Sequence, residues 1–307
     1  MRLSVQVLCV VGGLAAVGQC RMAFEQEVTQ EMKEAHILTP SFDLESRASL
    51  SQKGFVASFG SLRPTLAAVT ALSSAKYHAR SDWGALEEAF ESVVLLDPYN
   101  SYYWDLGAWH MAYNASSSSR DNTDLPPLSR ERLYREWTEK GSNFYDRGIK
   151  ANPDDLNLRL AKARLWSSPH RMTDYSLVAS TLESALFELN LSPSQQRKVK
   201  MDLFYTLLRI PERAQDAYQL GRALFEENTE SRYPSLVNGL AALQLNPKLK
   251  VTRVLSLRQL FGTRAIAARS LTNYLNEKSL EKPRFGVKVL LDRLHLTDFE
   301  SFPGRSD

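Results

Sequence analysis

The chain has 307 residues, of which 43% are hydrophobic, 24% charged and 10% aromatic. These are the proportions of a globular protein, and they exclude a disordered chain, a collagen and a multi-span membrane protein. The net charge of +3, from 38 Lys and Arg against 35 Asp and Glu, is too small and too mixed for a nucleic-acid footprint. Low Gly (14) and Pro (13) favour helices over a turn-rich sandwich.

The first element is an address. Met-Arg is followed by the mostly apolar run Leu3 to Val17, and then by Gly18-Gln19-Cys20. One positive charge and about 15 apolar residues suit a secretory signal better than a spanning helix, which needs about 20. Ala16-Val17-Gly18 offers small residues for cleavage. Two alternatives stay open: a lipid-modified Cys20, although Gln19 departs from the small residue expected there, and an uncleaved short anchor. Cys9 and Cys20 are the only cysteines, so the rest of the chain has no disulfide framework and no cysteine metal site. Residues 1–20 are therefore read as signal or anchor, and the protein as exported or membrane-anchored in the cell envelope, on the periplasmic side.

Residues 21–61 read as a linker. Within it, Ala23 to Ile37 is acidic and places Phe24, Val28 and Met32 on one side of a short amphipathic helix. Thr39-Pro40-Ser41 ends that helix, and Ser46 to Gly60 is a Ser-rich spacer.

From residue 62 the periodicity is helical. Leu86, Phe90, Val93 and Val94 recur at three- and four-residue spacing, as do Leu203, Leu207 and Ile210. Strand signals are scarce, and Asn238-Gly239 leads into Leu240-Ala-Ala-Leu243, a helical run. Helices are expected to end at Asp97-Pro98, Asn152-Pro153 and Asn246-Pro247. The fold class is all-α.

The punctuation suggests repeats. Gly141/Tyr145/Gly148 and Ala214/Tyr218/Gly221 share one pattern, small-x3-aromatic-x2-small. Small residues let antiparallel helices approach, and the aromatic fills the gap to the next pair. With Tyr77, Phe90, Trp104, Pro98 and Pro153, these residues resemble the tetratricopeptide repeat (TPR) family over about residues 65–275. The resemblance implies a short α-solenoid of four to five degenerate helix pairs across 62–295, with 296–307 as a C-terminal tail. The interval Pro98 to Pro153 exceeds the usual repeat, so an inserted loop is expected at 115–130. Gly60 to Ala67 and Leu96 to Asn114 also resemble a group of bacterial membrane-anchored envelope proteins with such repeats, a likeness that implies no chemistry.

Catalytic signatures are missing. Ser73-Ser-Ala-Lys76 has the Ser-x-x-Lys spacing of penicillin-recognising enzymes but none of the partner motifs. The five histidines lack zinc-protease spacing, and there is no phosphate loop, nucleophile elbow or dinucleotide fingerprint. The chain is read as a non-enzyme with no catalytic residue, metal or cofactor.

The densest cluster is aromatic, from Tyr99 to Tyr113. On a helix starting near Ser101, Tyr102, Trp109 and Tyr113 share one stripe, and Trp104, Ala108 and Met111 another. The TPR resemblance implies that the second stripe packs inside the helix pair and the first faces a concave groove, where aromatics make anchors for a peptide; the other reading places both stripes in the core. Arg164, on the next repeat's first helix, would flank the same groove. The expected function is a protein-protein interaction scaffold or adaptor that binds a protein or peptide partner at Tyr102, Trp109, Tyr113 and Arg164. The alternative is a glycan- or peptidoglycan-binding accessory protein that stacks sugars on the same aromatics.

Overall fold

In the computed structural model the described residues are 62–303, except 170, 228–231, 252 and 278–281. The expected signal or anchor at 1–20 and the linker with its amphipathic segment at 21–61 lie outside the described residues. Among those described, all regular structure is helical, and no helix is long and apolar enough to cross a membrane.

The first helices are α1 (Arg63–Ser73), α2 (Ala75–Ala79) and α3 (Trp83–Leu96). Next, α4 (Ser101–Trp109) runs through a π-helical stretch (His110–Ala115) directly into α5 (Ser116–Asp121). Then follow α6 (Pro127–Ala151), α7 (Leu156–Ser167), α8 (Tyr175–Glu188), α9 (Pro193–Leu207) and α10 (Ala214–Glu227). The chain closes with α11 (Pro234–Gln244), α12 (Leu257–Phe261), α13 (Arg264–Asn276) and α14 (Val287–Asp292).

Local chemistry sets these starts and stops. Asp82, Asp155 and Asp174 cap α3, α7 and α8 with side-chain oxygens that accept from first-turn amides at 2.6–3.1 Å. Ser192 with Gln195, and Ser256 with Gln259, form capping boxes for α9 and α12. Pro64, Pro127, Pro193 and Pro234 occupy first turns, where no amide hydrogen is needed. The helices ahead of Pro98, Pro153 and Pro247 stop within a few residues of them.

Helices pack on their chain neighbours. α1 lies on α3, the α4–π–α5 rod on α6, α7 on α8, α9 on α10, and α11 on α13. Between these pairs, α3 touches α4, α6 touches α7, α8 touches α9, and α10 touches α11. Close approach requires the glycines. A Cβ on Gly141 would lie 2.7 Å from the Ala108 carbonyl oxygen and the Ala112 nitrogen. One on Gly221 would lie 2.5 Å from the Phe204 ring.

Polar ties reinforce the stacking. The Pro98 carbonyl accepts from Trp104 Nε1 at 2.7 Å and from Asn152 Nδ2 at 3.0 Å, joining two successive corners. On the outer side Arg147 pairs bidentately with Glu91, and Lys140 with Glu87, linking α6 to α3. Arg159 reaches Glu188 and Lys162 reaches Asp146, fastening α7 to the helices on either side.

Two expectations need correction. The loop expected at 115–130 is mostly helix, with only residues 122–126 between α5 and α6. The extra chain lengthens both helices of the pair, and the serine run 116–119 stays helical because Ser116 and Ser119 are buried against α6. The tail expected from residue 296 is also partly core. Phe299 and Phe302 are buried, and the carbonyls of Ser301 and Phe299 accept from the amides of Leu257 and Arg258 at the start of α12. Those two apolar side chains hold the chain end to the body and satisfy amides the helix leaves free.

Candidate functional site

Helix α4 divides its aromatics between two faces. Trp104, Ala108 and Met111 are buried as expected, with Trp104 only 1% exposed and its ring 4.8 Å from Phe144. On the opposite face Tyr102 is 61% exposed, Trp109 44% exposed and Tyr113 half-buried. Trp109 and Tyr113 stack with ring centres 6.4 Å apart and planes inclined by 25°. Tyr102 packs its edge on Tyr103 instead and stands two turns away toward the helix start.

The π-helical stretch begins at His110, within this surface. A π turn shifts the hydrogen-bond ladder by one residue and leaves carbonyls in need of donors. Ser116 Oγ donates to the Ala112 carbonyl at 2.5 Å, and Arg171 Nη1 donates to the same oxygen at 2.7 Å. Arg171 also reaches Ser116 Oγ at 3.0 Å, and its guanidinium lies 4.2 Å from the centre of the Tyr113 ring. One arginine from the α7–α8 connection thus fixes both the irregular turn and the tyrosine on it.

Arg164 is one of two exposed residues, with Asn157, on the otherwise buried α7. It is close enough to bias three neighbours. Burial raises the Tyr113 phenol, and Arg171 and Arg164 oppose that rise. Burial, then Asp105, which accepts from Tyr145 Oη at 2.8 Å, drives the Tyr145 phenol well up, with Arg164 again opposing. Burial raises the Asp202 carboxyl against Lys198 and Arg164. Beyond Asp202, Tyr205 shares a 2.6 Å hydrogen bond with Ser235.

The fold therefore brings Trp109, Tyr113 and Arg164 together and leaves Tyr102 at the margin. It adds Asp105, Tyr145, Arg171 and Asp202, which sequence reasoning missed. The α9 residues carried a readable signal, since Lys198, Asp202 and Tyr205 recur at helical spacing between buried apolar positions. Arg171 carried none, because it comes from a connection and acts across a long chain separation.

Behind Trp109 lies a second polar cluster. The Asn114 amide group donates toward His110 Nδ1 at 2.9 Å and His78 Nε2 at 3.3 Å. The two imidazoles are 5.2 Å apart, and His110 also meets the rings of Phe90 and Trp109. Burial, then the proximity of His78, lowers His110 to about 4, so it is neutral at physiological pH.

Among the described residues no cluster of three or more His, Cys, Asp or Glu side chains is arranged to hold a metal ion. Comparison of the chain with protein-family models, curated proteins and solved structures finds no match.

Proposed function

We propose that the chain is a non-catalytic scaffold or adaptor of the cell envelope, whose helix pairs stack as a short TPR-like solenoid. A peptide or protein partner binds across α4, α7 and α9. The neighbour-on-neighbour packing of the helix pairs supports the solenoid, because stacked pairs leave one continuous surface made by their first helices. The observation that carries the binding reading is the stacked, partly exposed Trp109–Tyr113 pair with the exposed Arg164 beside it. Large rigid rings next to a charged fork supply contact area and direction at small entropic cost. Export through the N-terminal segment belongs to the same proposal and rests on Leu3 to Val17.

The test is capture from intact cells followed by crosslinking, with the full chain, Trp109→Ala and Arg164→Ala side by side. Proteins recovered by the parent and lost by variants that melt as the parent does support the reading. Equal recovery by all three overturns it. Binding to a glycan array that disappears in Trp109→Ala would move the assignment to the glycan-binding alternative.

A further inference from the structure

Helix α1 is apolar on two sides, and among the described residues only one of them is covered. Ala67 is buried against α3, with Ala71 partly buried beside it. The other side carries Leu62, Leu66 and Val69 at four- and three-residue spacing, with Leu72 at its edge. They are 48%, 36%, 54% and 78% exposed. A helix with two apolar faces belongs between two layers. Helices α7 and α11, placed inside the array, are buried nearly all round, whereas α1 stands at its end. Terminal units of stacked helical arrays need a polar cap, and α1 does not supply one.

We propose that residues 23–37 of the same chain form that cap and dock as a helix on the Leu62, Leu66 and Val69 face of α1. Three observations select this occupant. The segment has one apolar stripe, Phe24, Val28 and Met32, bordered by Glu27, Glu31 and Glu34 at four- and three-residue spacing. Helix α1 itself carries no acidic residue, its one charged side chain being Arg63, which donates to the Leu95 carbonyl of α3. An acidic amphipathic helix therefore meets an apolar face with no like charge on α1. Finally, residues 38–61 tether the segment to α1, and at up to about 3.4 Å per residue they span the roughly 16 Å of that helix several times over. A short tether gives an effective concentration of about 1 mM, well above that of a second copy in solution.

A photo-crosslinking benzoylphenylalanine at position 69 of the full-length protein tests the proposal, with the adduct mapped by peptide mass spectrometry. An adduct within residues 23–37 of the same chain is expected. It should fall by about tenfold or more when Val28→Glu and Met32→Glu are combined, because two apolar contacts become charged ones. The proposal is overturned by an adduct to residues 38–61, to a second copy or to added anionic vesicles, by the lack of any adduct, or by a yield that the double substitution leaves unchanged. Helical circular dichroism and melting of the double variant, matching the parent's for residues 62–303, show that the body is intact and that the loss is local.

Discussion

Two helix pairs, the α4–α5 rod on α6 and α9 on α10, use one sequence pattern to different ends. In both, a small residue is followed by a tyrosine four positions on and a second small residue three positions after that, and the second pair's Gly221, like Gly141, meets the partner helix. In the first pair Gly141 meets backbone, the Ala108 carbonyl oxygen and the Ala112 nitrogen. In the second, Gly221 meets the ring of Phe204 and a methyl of Leu240. Backbone against backbone has no slack, whereas a ring edge can pivot. The rigid pair carries the π turn, the Arg171 clasp and the open aromatics. The adjustable pair carries the mixed charges of Lys198 and Asp202. The lesson is that similar small-residue spacing can mean a fixed platform or a tunable contact, depending on what fills the opposite position.

The largest expected effect breaks the platform. Gly141→Ala should cost about 3 kcal/mol or more, since its methyl would press on main chain, and Gly221→Ala should cost about 1–3 kcal/mol as Phe204 shifts. Thermal or urea unfolding of the two variants gives the ranking, and equal losses would erase the distinction between the pairs. Gly84→Ala is the control: nothing lies within 4 Å, so helix propensity alone should stabilise by up to about 1 kcal/mol.

Next in size is the clasp. Arg171→Met keeps an unbranched apolar stem but removes the hydrogen bonds to Ala112 and Ser116 and the charge over Tyr113. A loss of about 1–2 kcal/mol is expected, because the Ser116 hydroxyl still satisfies the Ala112 carbonyl. Amide hydrogen exchange should rise at residues 110–116 and stay level in α9 and α10. A uniform rise would make Arg171 a general stabiliser rather than a local one.

The histidine cluster sharpens the comparison through pH. His110 is lowered to about 4 by burial and by His78, so the unfolded chain takes up its proton first as pH falls. Stability should decline from about pH 6.5 down to about pH 4 and be regained fully above 6.5. After allowance for partial exposure the loss is on the order of 1–2 kcal/mol. Asp202, whose carboxyl burial raises above the usual carboxylate range, works in the opposite sense, adding stability as pH falls through its own window. His110→Gln should flatten the decline, and a pH profile that ignores this substitution would remove the cluster from the account.

The smallest effect is at the proposed binding surface. Trp109→Ala should cost less than about 1.5 kcal/mol, whereas Trp104→Ala, truncating a buried ring on the same helix, should cost about 3–5 kcal/mol. Melting curves of the two variants decide whether the faces of α4 differ as their exposure says. A large loss at Trp109 would place that ring in the core and remove it from the site.

Much of this was legible in the residues alone. Apolar spacing of three and four placed the helices, the junctions before Pro98, Pro153 and Pro247 marked three of their ends, and the Gly141 and Gly221 patterns marked where helices touch. The two stripes of α4 were also readable, because a regular helix assigns faces by arithmetic. These properties are local, set within a turn or two of chain by propensity, capping and amphipathicity. The π turn at His110, the helical continuation through Ser116–Asp121 and the return of Phe299 and Phe302 to the core were not. Each depends on a partner distant in sequence: Arg171 at Ala112, α6 beneath the serine run, the start of α12 under the chain end. The site divides in the same way. Trp109 and Tyr113 stood out as aromatics on one face, and Arg164 was expected beside them, but only packing decided that Arg171 would lock Tyr113 and that Tyr102 would be left apart. Hydrogen bonds and charge contacts between remote segments follow from which surfaces the helices bury, and no spacing rule along the chain encodes them.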